Sequence, residues 1–227
     1  MRPYLSQPFR DDYELILLDP RGHGASDKPH DPTDYAFDRR VADVTAVLDH
    51  AGIERAIFWG YSMGGHVGYA FARYAPQRFH ALIIGGMHPY AKPPESPMRQ
   101  YAETLRVGRA AGMVAGLEQR FGPEPPARRA RLLANDADAL AADSTAMCAA
   151  PSFADALASL CIPVLIYAGD CDQPNHDNAE RAATDIPQVT FVTLPGLEHM
   201  QGIVRSDLVI PHVRAFLAAV EAVSTAK

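Results

Sequence analysis

The chain has 227 residues, 48% of them hydrophobic and 21% charged, with a formal net charge of -6. That length suffices for one domain with a substantial core, and the mildly acidic balance argues against nucleic acid or an anionic membrane as a partner. No apolar run approaches the roughly 20 residues that span a bilayer, the first residues lack a signal peptide's apolar core, and three cysteines make no disulfide framework, so a reduced, cytoplasmic protein is expected.

The run "YELILLD" at 13–19, closed by the turn-rich "PRGHGASDKP", reads as a buried strand. In "DYAFDRRVADVTAVLDHAG" the residues Phe37, Val41, Val44, Val47 and Leu48 recur at helical spacing, and Gly52 supplies the stop. "RAIFWG" (55–60) reads as another buried strand. The segment from about Met63 to Tyr74 reads as a helix that Pro76 ends, and "HALIIGG" (80–86) as a third strand. From 88 to about 155 the alternation breaks into Ala-, Arg- and Pro-rich sequence with helical stretches and no clear strand. Within it "PEPPARRARLL" reads as a solvated helix face. Alternation resumes with "IPVLIYAGD" (162–170), a helix near 177–184, "VTFVTLPG" (189–196) and a final helix near 206–222. Cys161 and Cys171 flank one strand, too far apart to bond.

This pattern predicts an α/β fold: a mostly parallel sheet of about five strands with helices on both faces. Residues 1–87 and 156–227 form the core, and 88–155 a helical cap insertion above the strand ends, where α/β proteins bind ligands.

Gly60-Tyr61-Ser62-Met63-Gly64 has the G-x-S-x-G spacing between an expected strand and an expected helix. Side chains at the flanking glycine positions are expected to collide with the neighbouring strand and helix. Such a turn lifts a serine Oγ clear of the sheet at a helix N-terminus, where developing negative charge is favoured. The bland alternative is a glycine-rich turn that packs a helix on a strand. Serine needs a base. His199, in "LPGLEHM", follows a strand end and a glycine on the same edge of the sheet as Ser62. His176 lies in a loop before the last strand, His23 shapes the "RGHG" turn, and His212 sits on the last helix. The base needs an acid to fix its tautomer, and "YAGDCDQP" offers Asp170 and Asp172.

With "DPRGHGASDKP", "GYSMGG", "GDCD" and "PGLEH" in this order, nearly the whole chain resembles the α/β-hydrolase superfamily, specifically its small cap-bearing serine esterase and lactonase-like branch. The resemblance is weakest over 88–155. It implies Ser62 as nucleophile, His199 as base and Asp172, rather than Asp170, as orienting acid. It also implies the Met63 N–H as one oxyanion donor. A serine at 62 departs from haloalkane dehalogenases and epoxide hydrolases, which normally carry aspartate there. The resemblance further implies upstream strands and an "HG" loop with a second oxyanion donor, which this sequence does not contain. Three readings of that departure compete: a truncated sequence, direct pairing of 13–19 with 55–60, or a strand supplied by another chain, and a truncated gene model or fragment is the expected origin. For a chain folding alone, direct pairing is expected.

The expected activity is cleavage of a small carboxylic ester or lactone through an acyl-enzyme, with no metal or cofactor. C–C bond hydrolysis, perhydrolysis or acyl transfer on the same residues are alternatives, as is an inactive ligand-binding relative. Met87, His88, Tyr90 and Met113 are candidates for shaping an acyl pocket. A homodimer is a further expectation, through an exchanged strand.

Overall fold

A computed structural model of the chain describes residues 3–225. In chain order its elements are α1 (Pro3–Ser6), α2 (Phe37–His50), β1 (Ala56–Tyr61), α3 (Met63–Tyr74), β2 (Phe79–Gly85), α4 (Pro97–Phe121), α5 (Pro126–Leu133), α6 (Ala137–Cys148), β3 (Val164–Gly169), α7 (Asn175–Ala183), β4 (Val189–Leu194), α8 (Gln201–Val204) and α9 (Ser206–Thr225). They fall into two compact units. One holds residues up to Leu17, Val44–Tyr90 and the chain from Ser152 onward; the other holds Leu18–Asp43 and Ala91–Pro151.

The first unit is built on a four-stranded sheet in the order β1-β2-β3-β4, with every pair parallel. The near-continuous apolar runs of β2 and β3 suit central strands covered on both faces, and all or nearly all their residues are buried. The edge strands β1 and β4 are mostly half-buried. Ala81 and Ile83 of β2, Leu165 and Tyr167 of β3 and Leu194 of β4 point to one face. There they pack with Leu5, Phe9 and the Val209, Val213, Phe216 and Leu217 side of α9. The helices α3 and α7 pack on the strands as well, so the sheet is covered on both sides.

Residues 14–19 depart from expectation. They form no strand, and Leu15, Ile16 and Leu17 are 39%, 40% and 60% exposed. The sheet therefore has four strands among the described residues, not about five, and the expected direct pairing of 13–19 with β1 does not occur. The physical reason is that a strand is defined by its neighbour: an apolar run becomes sheet only where a second chain segment takes up its backbone hydrogen bonds.

The second unit has its own apolar cluster of Leu105, Met113 and Val114 of α4 with Ala137, Leu140 and Ala141 of α6. The helix α4 is interrupted at Arg109, which has φ 56. No residue of α5 is buried, and Arg128 and Arg129 pair with Glu124 and Glu118. The segment Leu18–Asp43 is held by arginines. Arg21 grips Asp43 through two bonds of 2.6 Å. Arg40, only 4% exposed, donates to the Tyr35 carbonyl at 2.7 Å and to the buried carboxylate of Asp143 on α6. Its guanidinium lies over the rings of Tyr35 and Phe37. All three cysteines are free, and among the described residues no helix is long and apolar enough to cross a membrane.

A buried charge left without its counter-ion is costly, whereas an apolar pair of similar volume often is not. Asp143→Ala is therefore expected to destabilise the chain by about 3–5 kcal/mol, and the double variant Arg40→Met with Asp143→Leu by much less, in urea unfolding followed by circular dichroism.

Candidate active site

Ser62 follows the last residue of β1 and stands immediately before α3, with φ 54 and ψ -114. A positive φ is rare for a residue with a Cβ and costs on the order of 1–3 kcal/mol. Two features hold the turn in place. The Ser62 N–H donates to the Gly85 carbonyl at the end of β2 at 2.8 Å. Gly60 lies so close to the first turn of α3 that a Cβ there would come within 2.3 Å of the Gly64 carbonyl group. The second glycine of the motif behaves differently from expectation, since a Cβ at Gly64 would meet nothing within 4 Å. The steric demand thus sits on one side of the serine. Ser62 also occupies the N-cap position of α3, yet its side chain makes no capping bond. Its Oγ turns instead to His199.

His199 lies beyond β4, and Asp172 lies beyond β3. The His199 Nε2 is 2.8 Å from Ser62 Oγ, and its Nδ1 is 2.7 Å from Asp172 Oδ2. An ionised carboxylate only accepts, so Nδ1–H donates to Asp172 and the Nε2 lone pair faces the serine hydroxyl. The Asp172 side chain is 4% exposed while that of His199 is 32% exposed. The carboxylate is thus screened from water and the imidazole is reachable. Asn175, on the first turn of α7, donates through Nδ2 to the other oxygen, Oδ1, at 2.8 Å. Each carboxylate oxygen has one directed donor, as a buried carboxylate requires.

The loops carrying these two residues are fastened to each other. The Cys171 N–H donates to the Leu197 carbonyl at 3.2 Å, and the Asp170 Oδ1 accepts from the Gly196 N–H at 2.7 Å. The two aspartates of "GDCD" therefore separate by contact. Asp172 meets His199, and Asp170 ties the loop after β4 to the loop after β3. Met63 is the first residue of α3, so its N–H has no acceptor one turn back within the helix.

The remaining residues singled out in the sequence lie elsewhere. His176 is not in a loop but on α7, buried between Asp177 and Thr193. His23 bonds within its own turn to the Arg21 carbonyl, and His212 is on α9. In the first unit Met87 and His88 are buried after β2, and the ring of Tyr90 lies under Arg181. Met113 packs in the core of the second unit, where the Tyr101 hydroxyl donates to its sulfur. A grouping invisible in the spacing is His30 with Asp136 and Asp138, whose ligand atoms lie within 4.8 Å of one another. Those carboxylates already have partners, since His30 holds Asp136 at 3.0 Å and Arg109 holds Asp138.

A sheet whose first strand ends in a strained serine, backed by a histidine and a buried acid beyond later strands, belongs to a known class. A model of the alpha/beta hydrolase fold family matches residues 2–140, and the chain belongs to that family. Among curated proteins it is similar to the 3-oxoadipate enol-lactonases 2 and 1 of Acinetobacter baylyi. The first is 46% identical over 76 residues, covering 34% of this chain and 28% of the relative. The second is 31% identical over 172 residues, covering 72% of this chain and 63% of the relative. The chain thus spans less than two thirds of the length of these relatives. Among solved structures, a thermophilic esterase from Thermogutta terrifontis superposes with a TM-score of 0.81 at 25% identity, over 96% of this chain and 84% of that one.

The two glycines flanking the serine should respond differently to the same change. Gly60→Ala is expected to cost about 1–3 kcal/mol or more through its clash with backbone. Gly64→Ala, in open space on a helix, is expected to be neutral or to stabilise by up to about 1 kcal/mol. Denaturant midpoints of the two variants check this.

Proposed function

We propose that the chain is a serine hydrolase that cleaves small carboxylic esters or lactones through an acyl-enzyme. The observation that carries this reading is the unbroken line of hydrogen bonds from Ser62 Oγ through His199 to buried Asp172. Its likeness to the two enol-lactonases and to the esterase supports the substrate class.

The geometry supports a role for each residue. A serine hydroxyl is a weak nucleophile until a base takes its proton. His199 Nε2 is oriented to take that proton as Oγ attacks the carbonyl carbon. Asp172 then faces the imidazolium across the Nδ1–H bond. Because water is excluded from the acid, this charge–charge attraction is stronger than it would be in solvent. The tetrahedral oxyanion forms beside the N-terminus of α3, where the Met63 N–H has no acceptor within the helix and serves as a donor. As the intermediate collapses, His199 returns its proton to the leaving oxygen and Oγ remains acylated. His199 next accepts a proton from water, which attacks the acyl carbon, and passes that proton to Ser62 Oγ as the Oγ–acyl bond breaks and the acid is released. In a lactone the leaving oxygen stays joined to the acyl group, so ring opening and deacylation release a single product. No step of this cycle requires a redox change or a cofactor.

A fluorophosphonate probe is expected to label one site per chain, at Ser62, and a nitrophenyl ester to give a burst of one equivalent. Ser62→Ala is expected to abolish the labelling and to lower turnover by at least about 10³-fold. Equal labelling and turnover in the parent chain and Ser62→Ala would overturn the hydrolase reading.

A further inference from the structure

The strands β1 and β4 are the two edges of the sheet, separated by β2 and β3. At about 4.8 Å per strand spacing, their axes stand about 14 Å apart. Ser62 hangs from one edge and His199 from the other, yet their side chains meet at 2.8 Å. The segment after β4 must therefore fold back over the C-terminal ends of the strands and be held there. Its contacts with the loop after β3, at Gly196 and Leu197, bring it only as far as the neighbouring strand.

We infer that Tyr61, the residue before the serine, is the tether that completes the crossing and positions His199 against Ser62. Its hydroxyl donates to the backbone carbonyl of His199 at 2.5 Å, across 138 positions of sequence. The same residue stack thus joins the backbone of the nucleophile's turn to the backbone of the base. The ring packs beside the imidazole, with centroids 5.4 Å apart.

The surroundings of Tyr61 are shaped for that reach. Tyr61, Gly85 and Tyr167 form a row of register partners across β1, β2 and β3. The two tyrosine rings share the space over the glycine, where a Cβ would come within 2.4 Å of Tyr167 and 2.5 Å of Tyr61. A Cβ on Gly86 would lie 2.5 Å from the Tyr61 ring, and one on Gly202 would lie 2.4 Å from its hydroxyl oxygen. Glycines from two separate stretches of chain thus open a slot for one phenol. Burial, and then the charge of Asp172, push this phenol far above the usual tyrosine range, so it stays protonated and remains a donor.

This inference rests on the proposed function, with Tyr61 acting through His199 and not on the substrate. The experiment compares the parent chain, Tyr61→Phe, Ser62→Ala and Tyr13→Phe. Tyr13 is the control because it also loses a phenol hydrogen bond, to Glu221, at a place remote from Ser62 in sequence. In Tyr61→Phe, kcat for a nitrophenyl ester is expected to fall about 10- to 100-fold while KM stays within about twofold. Backbone hydrogen exchange in the peptide covering 197–204 is expected to rise about tenfold, with peptides from β2 and β3 unchanged. Tyr13→Phe should match the parent in both. Parent turnover that depends on Ser62, together with kcat or 197–204 exchange in Tyr61→Phe equal to the parent's, would overturn the tether alone. A parent chain without Ser62-dependent turnover would overturn the proposed function and with it the role of the tether.

Discussion

The site depends on one geometric constraint: Ser62 and His199 are attached to opposite edges of a four-stranded sheet. A hydrogen bond of 2.8 Å tolerates little drift, so the loop after β4 cannot be an ordinary surface connection. It is held in register by short contacts to successive points along the strand ends. Asp170 takes Gly196, and Cys171 donates to Leu197. Gly169 lies so near Leu197 that a Cβ there would sit 1.9 Å from the carbonyl oxygen. Asp172 then takes His199 itself. The acid of the line therefore has two kinds of neighbour: one side chain that it orients, and a loop whose other residues carry that side chain to it.

The same economy shows at the serine. Its positive φ is unfavourable, and nothing in the residue itself compensates. The conformation persists because its N–H is bound to Gly85 and Gly60 packs on the Gly64 backbone at a distance that no side chain at position 60 allows. The outcome is an Oγ that leaves its capping duty to α3 unfilled and is free to meet the imidazole.

Much of this was legible in the sequence because it is local. The helix Met63–Tyr74 begins at a glycine turn and ends before Pro76, so both ends are marked by residues whose backbone preferences are strong. The apolar runs of β2 and β3 are buried on both faces and look so in one dimension. The run at 13–19 has the same composition, but whether it becomes a strand depends on a neighbour, and Leu15–Leu17 stand in solvent. Ser62, His199 and the two aspartates were visible through their motifs. The choice between Asp170 and Asp172 was open by spacing alone, and only the contact with His199 separates them. Tyr61 and Asn175 carried no signal: the bond of Tyr61 reaches across 138 positions, and that of Asn175 to Asp172, though local, has no sequence signature. Likewise, Arg40 pairs with Asp143 across 103 positions.

The bridging of both sheet edges by a single hydrogen-bonded line has a consequence for how the site responds to warming. Slippage or fraying between any two neighbouring strands separates Ser62 from His199, even while each strand keeps most of its pairing. Edge strands open at lower free energy than central ones, and here each edge leads into a residue of the hydrogen-bonded line. The contact between Ser62 and His199 is therefore expected to open at temperatures where the helices and central strands still give a folded spectrum. The line from Ser62 to Asp172 is in effect a strain gauge laid across the whole width of the sheet.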